Sequence, residues 1–156
     1  MHKIQVAFYR DDCKADVLDC LVMPQEWTTI AYNASRQYCA VLPNFGDHTF
    51  AKVCIDPVSL SFFRKNFGRI DDSLTRAMLW SIFFNMVSEA RIPSTEFVEF
   101  FISNIAQEGC EGVFTNQFDA VWNAIGKFTP YQYREELGDR VFFFLTELLV
   151  KSGEDQ

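Results

Sequence analysis

Ala51-Lys52-Val53-Cys54-Ile55-Asp56-Pro57-Val58-Ser59-Leu60-Ser61-Phe62-Phe63 contains the point where the chain changes character. Before Asp56, apolar residues recur with a period of two; after it they recur at helical spacing. Asp56-Pro57 reads as a helix start. Proline at the first helical position gives up an N–H that has no intrahelical partner there, and the preceding aspartate can accept from the next free N–H groups. The stretch therefore predicts a β unit over residues 1–55 and an all-α unit over residues 56–156. In class terms the expectation is an α+β, multi-part chain. An antiparallel β-sandwich-like unit comes first, and antiparallel helix pairs of a solenoid kind follow.

Upstream of the seam, Ile4, Val6 and Phe8 alternate with Lys3, Gln5 and Ala7, the pattern of a strand with one buried face. Arg10-Asp11-Asp12 turns the chain into Val17-Leu18-Asp19-Cys20-Leu21-Val22 as the returning strand, which Pro24-Gln25-Glu26 breaks. Trp27-Thr28-Thr29-Ile30-Ala31-Tyr32 is β-branched and aromatic and predicts a third strand. Asn33-Ala34-Ser35 separates it from Tyr38-Cys39-Ala40-Val41-Leu42, and Pro43-Asn44-Phe45-Gly46-Asp47 leads to Thr49-Phe50-Ala51-Lys52-Val53-Cys54-Ile55. Roughly five short strands spaced this way suggest a sandwich or barrel, with open edges because five strands are few for closure.

Downstream, Val58, Leu60, Phe62, Phe63 and Phe67 predict a first helix stopped by Gly68. The second, from Asp71 to about Glu89, is apolar over more than half its circumference and is expected to be enclosed by neighbours. A third starts at Pro93-Ser94 and ends by Gly109, and a fourth runs from Val113 to Gly126. Thr129-Pro130-Tyr131-Gln132 reads as a capping box for a fifth, with Thr129 as cap and Pro130 as first helical residue. Tyr133, Leu137, Val141, Phe142, Phe144, Leu145, Leu148 and Leu149 share one side of that helix. Phe143 lies on the other and marks a candidate interface.

Composition narrows the function classes. The 156 residues are 49% hydrophobic and carry a formal charge of −7, with 14 basic against 21 acidic side chains. A globular core follows, while an acidic balance without a Lys/Arg cluster gives no phosphate track, so no nucleic-acid partner is expected. No apolar run approaches the length of a membrane span. Five cysteines, Cys13, Cys20, Cys39, Cys54 and Cys110, form no C-x-x-C pair and do not suggest a secreted disulfide framework. Four of them sit in strand-like segments and read as core thiols in a reducing, cytoplasmic setting. No secretory leader is evident at the start.

Catalytic constellations are thin. His2 and His48 are the two histidines; neither has a histidine at i+4, and H-E-x-x-H is absent, so no metal ligands are assigned. Cys39 or Cys54 could be paired with His48, but no orienting group is evident. The carboxylate pairs Asp11-Asp12, Asp71-Asp72 and Glu135-Glu136 fall in a hairpin turn and in opening helical turns, where acids favour the positive end of the helix. Catalytic, cofactor-binding and metal residues are accordingly none.

The segment from Pro43-Asn44-Phe45-Gly46-Asp47-His48-Thr49-Phe50-Ala51-Lys52-Val53 into Asp56-Pro57-Val58-Ser59-Leu60 resembles a stretch of aminopeptidase N-type zinc metallopeptidases. Those enzymes read approximately N-x-D-D-x-T-[YF]-A-K-V and then D-x-x-S-L. Asp72-Ser73-Leu74-Thr75-Arg76-Ala77-Met78-Leu79-Trp80 resembles their D-S-L-x-R-A-x-x-W helix, and Pro93-Ser94-Thr95-Glu96-Phe97-Val98 their P-x-x-[DE]-[FY]-V. Departures fall at Phe45-Gly46, where the family favours acids, and at Asn85 ahead of Met86, where it often has D-M. The likeness covers residues 40–105 and fades past Gly109.

What the resemblance implies is the end of a β-sandwich domain (1–55) plus the first helices of the C-terminal α-helical domain (56–156) of a modular enzyme. In that family, zinc and the catalytic motifs belong to a separate, upstream domain. No zinc or other cofactor is expected in this chain, which is expected to be inactive alone. Its implied partners are the catalytic domain of the same polypeptide and the parent's peptide substrates, with self-association of an isolated piece. The alternative is a standalone helical protein-interaction module without enzymatic activity.

Overall fold

The structure, a computed structural model, describes residues 2–23, 25–32 and 35–154. Strands β1 (His2–Tyr9), β2 (Ala15–Val22) and β3 (Ala40–Pro43) form an antiparallel sheet in the order β2-β1-β3. Five α-helices follow: α1 (Pro57–Asn66), α2 (Ser73–Ser88), α3 (Ser94–Asn104), α4 (Glu111–Phe128) and α5 (Arg134–Glu154). The chain is thus α+β, with the change from strand to helix at Asp56. Its compact units divide later, inside α2, into residues Met1–Ile82 and Phe83–Gln156.

Within the first unit, β1 is the central strand and pairs Val6 with Leu18 on one side and with Pro43 on the other. Burial along β1 does not alternate as the period-two reading of a single buried face expects: it rises from exposed His2 and Lys3 through half-buried Ile4 and Gln5. Val6, Ala7, Phe8 and Tyr9 are all buried. On one face Val6 and Phe8 pack with Cys20, Ile30 and Tyr38. On the other, Tyr9 meets Phe63 of α1 edge-on at 5.1 Å between centroids. A helix returning onto the sheet covers the face that the alternation left open.

Two of the five predicted strands are absent. Residues 27–32 form no strand; Ile30 and Tyr32 instead lie over the sheet, Tyr32 stacking on Phe8 at 5.4 Å. Strand propensity is largely the ability to fit a half-buried pleated surface, and here the residues cover that surface rather than extend it. Residues 49–55 form no strand either. The Asn44 side chain donates to the Thr49 carbonyl (2.7 Å) and accepts from the Thr49 N–H (3.2 Å), taking groups a ladder would need. The breaks assigned to Pro24 and to Asn33 and Ala34 lie outside the described residues.

Asp56 caps α1 as its sequence requires. One carboxylate oxygen accepts from the Val58 and Ser59 N–H groups, and the other from the Ser59 hydroxyl at 2.5 Å. Ser59 Oγ in turn accepts the Val41 N–H of β3 at 2.8 Å. The helix start and the sheet edge are thereby joined through one buried hydroxyl. Beyond α1, Phe67 and Trp80 pack edge-on at 5.2 Å in the interior of this unit.

The second unit is built on aromatic contacts. Phe83 stacks on Phe100 of α3 at 4.3 Å, and Phe101 reaches Phe144 of α5 at 6.5 Å. Gly126 does not stop α4, which runs on to Phe128. The capping box is corrected as well. Thr129 is buried, bonding the Ser94 hydroxyl (2.7 Å) and the Ala124 carbonyl (3.1 Å), so its oxygen is spent on tying α4 to the start of α3. Pro130 is extended, a 3-10 turn follows at Tyr131–Tyr133, and α5 begins only at Arg134.

Replacing Ser59 with Ala removes one cap bond and leaves a Val41 N–H without its partner. We expect a loss of about 1–3 kcal/mol in urea unfolding, the usual cost of orphaning a buried donor. Asp56→Ala costs about 1 kcal/mol. A double-mutant cycle should show that the two losses overlap.

Candidate functional site

Of the carboxylate pairs read from the sequence, Asp72 and Asp12 are engaged as hydrogen-bond acceptors. Asp72 accepts from the Thr75 N–H (2.8 Å) and hydroxyl (2.6 Å), capping α2. Asp12 accepts the Lys14 N–H at 3.0 Å inside the β1–β2 turn. Asp11, Asp71, Glu135 and Glu136 are exposed. Sequence reasoning passed over Asp16, which forms the densest polar cluster of the sheet. It accepts from Arg10 (2.9 Å), Arg36 (2.7 Å) and the Tyr38 hydroxyl (2.9 Å). Its signal was present only as an acid inside a strand flanked by distant bases.

These partners shape the carboxyl groups. The Arg36 guanidinium and the Tyr38 hydroxyl hold Asp16 below the ordinary carboxylate range. The Thr75 hydroxyl does the same for Asp72, and the Lys14 N–H for Asp12. At Asp56, burial pushes the carboxyl up, but bonds from Ser59 and Val58 outweigh it and leave the group lowered. All are thus stabilised as acceptors, the opposite of a general acid held protonated near neutrality.

The thiols need correction. Of the five, only Cys20 is buried in a strand; Cys13 stands in a turn at positive φ, Cys39 precedes β3, Cys54 lies in irregular chain and Cys110 is exposed ahead of α4. Burial raises the Cys13 and Cys20 thiols, which disfavours the thiolate. His48 packs its ring over Gly46, where a Cβ would sit 2.7 Å from Nε2. Among the described residues no group of three His, Cys, Asp or Glu side chains is placed to hold a metal ion.

Two depressions mark the first unit. One, of about 260 Å³, lies beside the first half of β1 and is lined by Ile4, Val22, Pro43, Phe50 and Val53. The other, shallower, is lined by Cys39, Val58, Phe62 and Lys65. Both are largely apolar. No helix is long and apolar enough to cross a membrane among the described residues.

In this chain Asp12, Asp56 and Asp72 accept backbone N–H groups at a turn and two helix starts. In sequence, the chain is 29% identical over 97 residues to aminopeptidase N of Streptomyces lividans, a match covering 62% of this chain. The chain spans about 11% of the length of that curated relative. No family model matches it.

The lowered carboxyls fix the acid limb of stability. Their contribution is fully present above the unfolded value of about 3.9 and disappears as pH falls through the lower folded values. The thermal midpoint should therefore stay level from about pH 7 to 5 and drop below about pH 4. Asp72→Asn should flatten that drop while lowering the neutral plateau, a pattern read from melting curves across pH.

Proposed function

We propose that this chain is a noncatalytic part of an aminopeptidase N-like zinc enzyme that removes N-terminal residues from peptides. Its sheet would be the end of the sandwich that spaces the helical domain, and its helices the start of the domain that covers the active-site cleft. The observation carrying this reading is the sequence match to the Streptomyces enzyme. It is supported by where the resembling residues fall: Asp56 and Ser59 cap and tie a helix, and Asp72 caps the next. These are positioning roles, which suit a part that shapes the peptide chamber while zinc-bound water attacks elsewhere.

A second reading, a standalone interaction module, is favoured by the apolar residues left on the outer sides of α4 and α5. The two readings share the absence of peptidase chemistry in this chain. Purified chain assayed on alanyl- and leucyl-aminocoumarin, with metal content measured in parallel, should give neither turnover nor stoichiometric zinc. Robust hydrolysis with bound zinc would overturn both.

A further inference from the structure

Helix α5 has two apolar sides. Leu137 and Val141 are buried, but Phe142 is 61% and Leu149 75% exposed, two turns apart on one outer stripe. Thr146 stands between them and donates its hydroxyl to the Phe142 carbonyl at 2.8 Å, so it brings no unmet polar demand to that stripe. One turn before Phe142 is Gly138, where an added Cβ would lie 3.7 Å from the Trp122 ring of α4. Trp122 packs edge-on with Phe118, one turn earlier in α4, and both rings are partly exposed. Phe118, Trp122, Gly138, Phe142 and Leu149 therefore follow the seam of two adjacent helices, with the glycine as its floor. Glycine is a poor helix former, and its backbone here is ordinary helix with no positive φ to require it. A Cβ there would make ordinary van der Waals contact with the Trp122 ring, so the glycine marks where the two helices meet.

Charge names the occupant. At 100° per residue, Asp119 of α4 and Asp139 of α5 flank this seam, while Glu111 and Glu135, seven residues before Phe118 and Phe142, continue its two lines at the start of each helix; all four are exposed. The bases on these helices are directed elsewhere. Arg140 bonds Glu99, and Arg134 bonds the Thr129 carbonyl and lies over Tyr131; Lys127 and Lys151 project from other sides of their helices. An apolar groove between carboxylate rims fits an amphipathic helix with Lys or Arg beside its apolar stripe. A second copy would bring carboxylates against carboxylates, in a chain already at −7.

We propose that the α4–α5 seam docks a basic amphipathic helix supplied by a partner polypeptide. The assignment stands independently of the aminopeptidase reading. The test is fluorescence anisotropy of the full chain with a labelled synthetic helix of about five turns, leucines on one stripe and lysines beside it, against a twin with glutamates in place of the lysines. The lysine peptide should bind at least about tenfold more tightly than its twin and weaken with added salt. Phe142→Ser with Leu149→Ser should weaken it about tenfold, while Val17→Thr on exposed β2 leaves it unchanged. Glu135→Lys with Asp139→Lys, which leaves every apolar contact intact, should reverse the preference between the peptides. Equal binding of both peptides, or binding indifferent to the serine and lysine pairs, overturns the proposal. So does a dimer in light scattering that Phe142→Ser abolishes, since the seam would then belong to a second copy.

Discussion

The Ser59 hydroxyl, held between the Asp56 carboxylate and the Val41 N–H, is the constraint from which the first unit is built. β3 is short and lies at the edge of its sheet, so an outward N–H there needs a partner or water. Ser59 supplies that partner from the first turn of α1, and Asp56 orients the hydroxyl while satisfying the helix's own free N–H groups. Once α1 starts at this point, Phe63 falls against Tyr9 and the second face of β1 is covered. A single cap thus fixes where the helix begins and which side of the sheet it shields.

The same economy governs the other polar groups. Asp72 sets the start of α2, Asn44 closes its loop, and Thr129 and Ser94 join the ends of α4 and α3. Asp16 gathers Arg10, Arg36 and Tyr38, tying β2 to the chain that approaches β3. Each carboxylate is kept ionised by donors, a state that serves hydrogen-bond acceptance better than proton transfer.

Legibility followed the range of the interaction involved. Caps act over three or four residues, so Asp56-Pro57 could be read directly. The proposed capping box at Thr129 failed because its hydroxyl bonds Ser94, 35 residues away, which no local pattern records. Residues 27–32 and 49–55 had the composition of strands but were drawn off, the first onto a sheet face by Phe8 and the second by the Asn44 amide. Phe143 was recognisable as an aromatic out of place. The exposure of Phe142 was not, because the helical period groups it with Leu137 and Val141, which are buried.

By itself the sequence determined the order of strand and helix, the junction at Asp56 and the five helices, because period and capping are set by neighbours along the chain. Only the tertiary structure decided that three strands pair, that Asp16 becomes a hub, and that Gly138 of α5 meets the Trp122 ring of α4. Those outcomes depend on which distant groups reach a donor or a face first, and packing sets that competition.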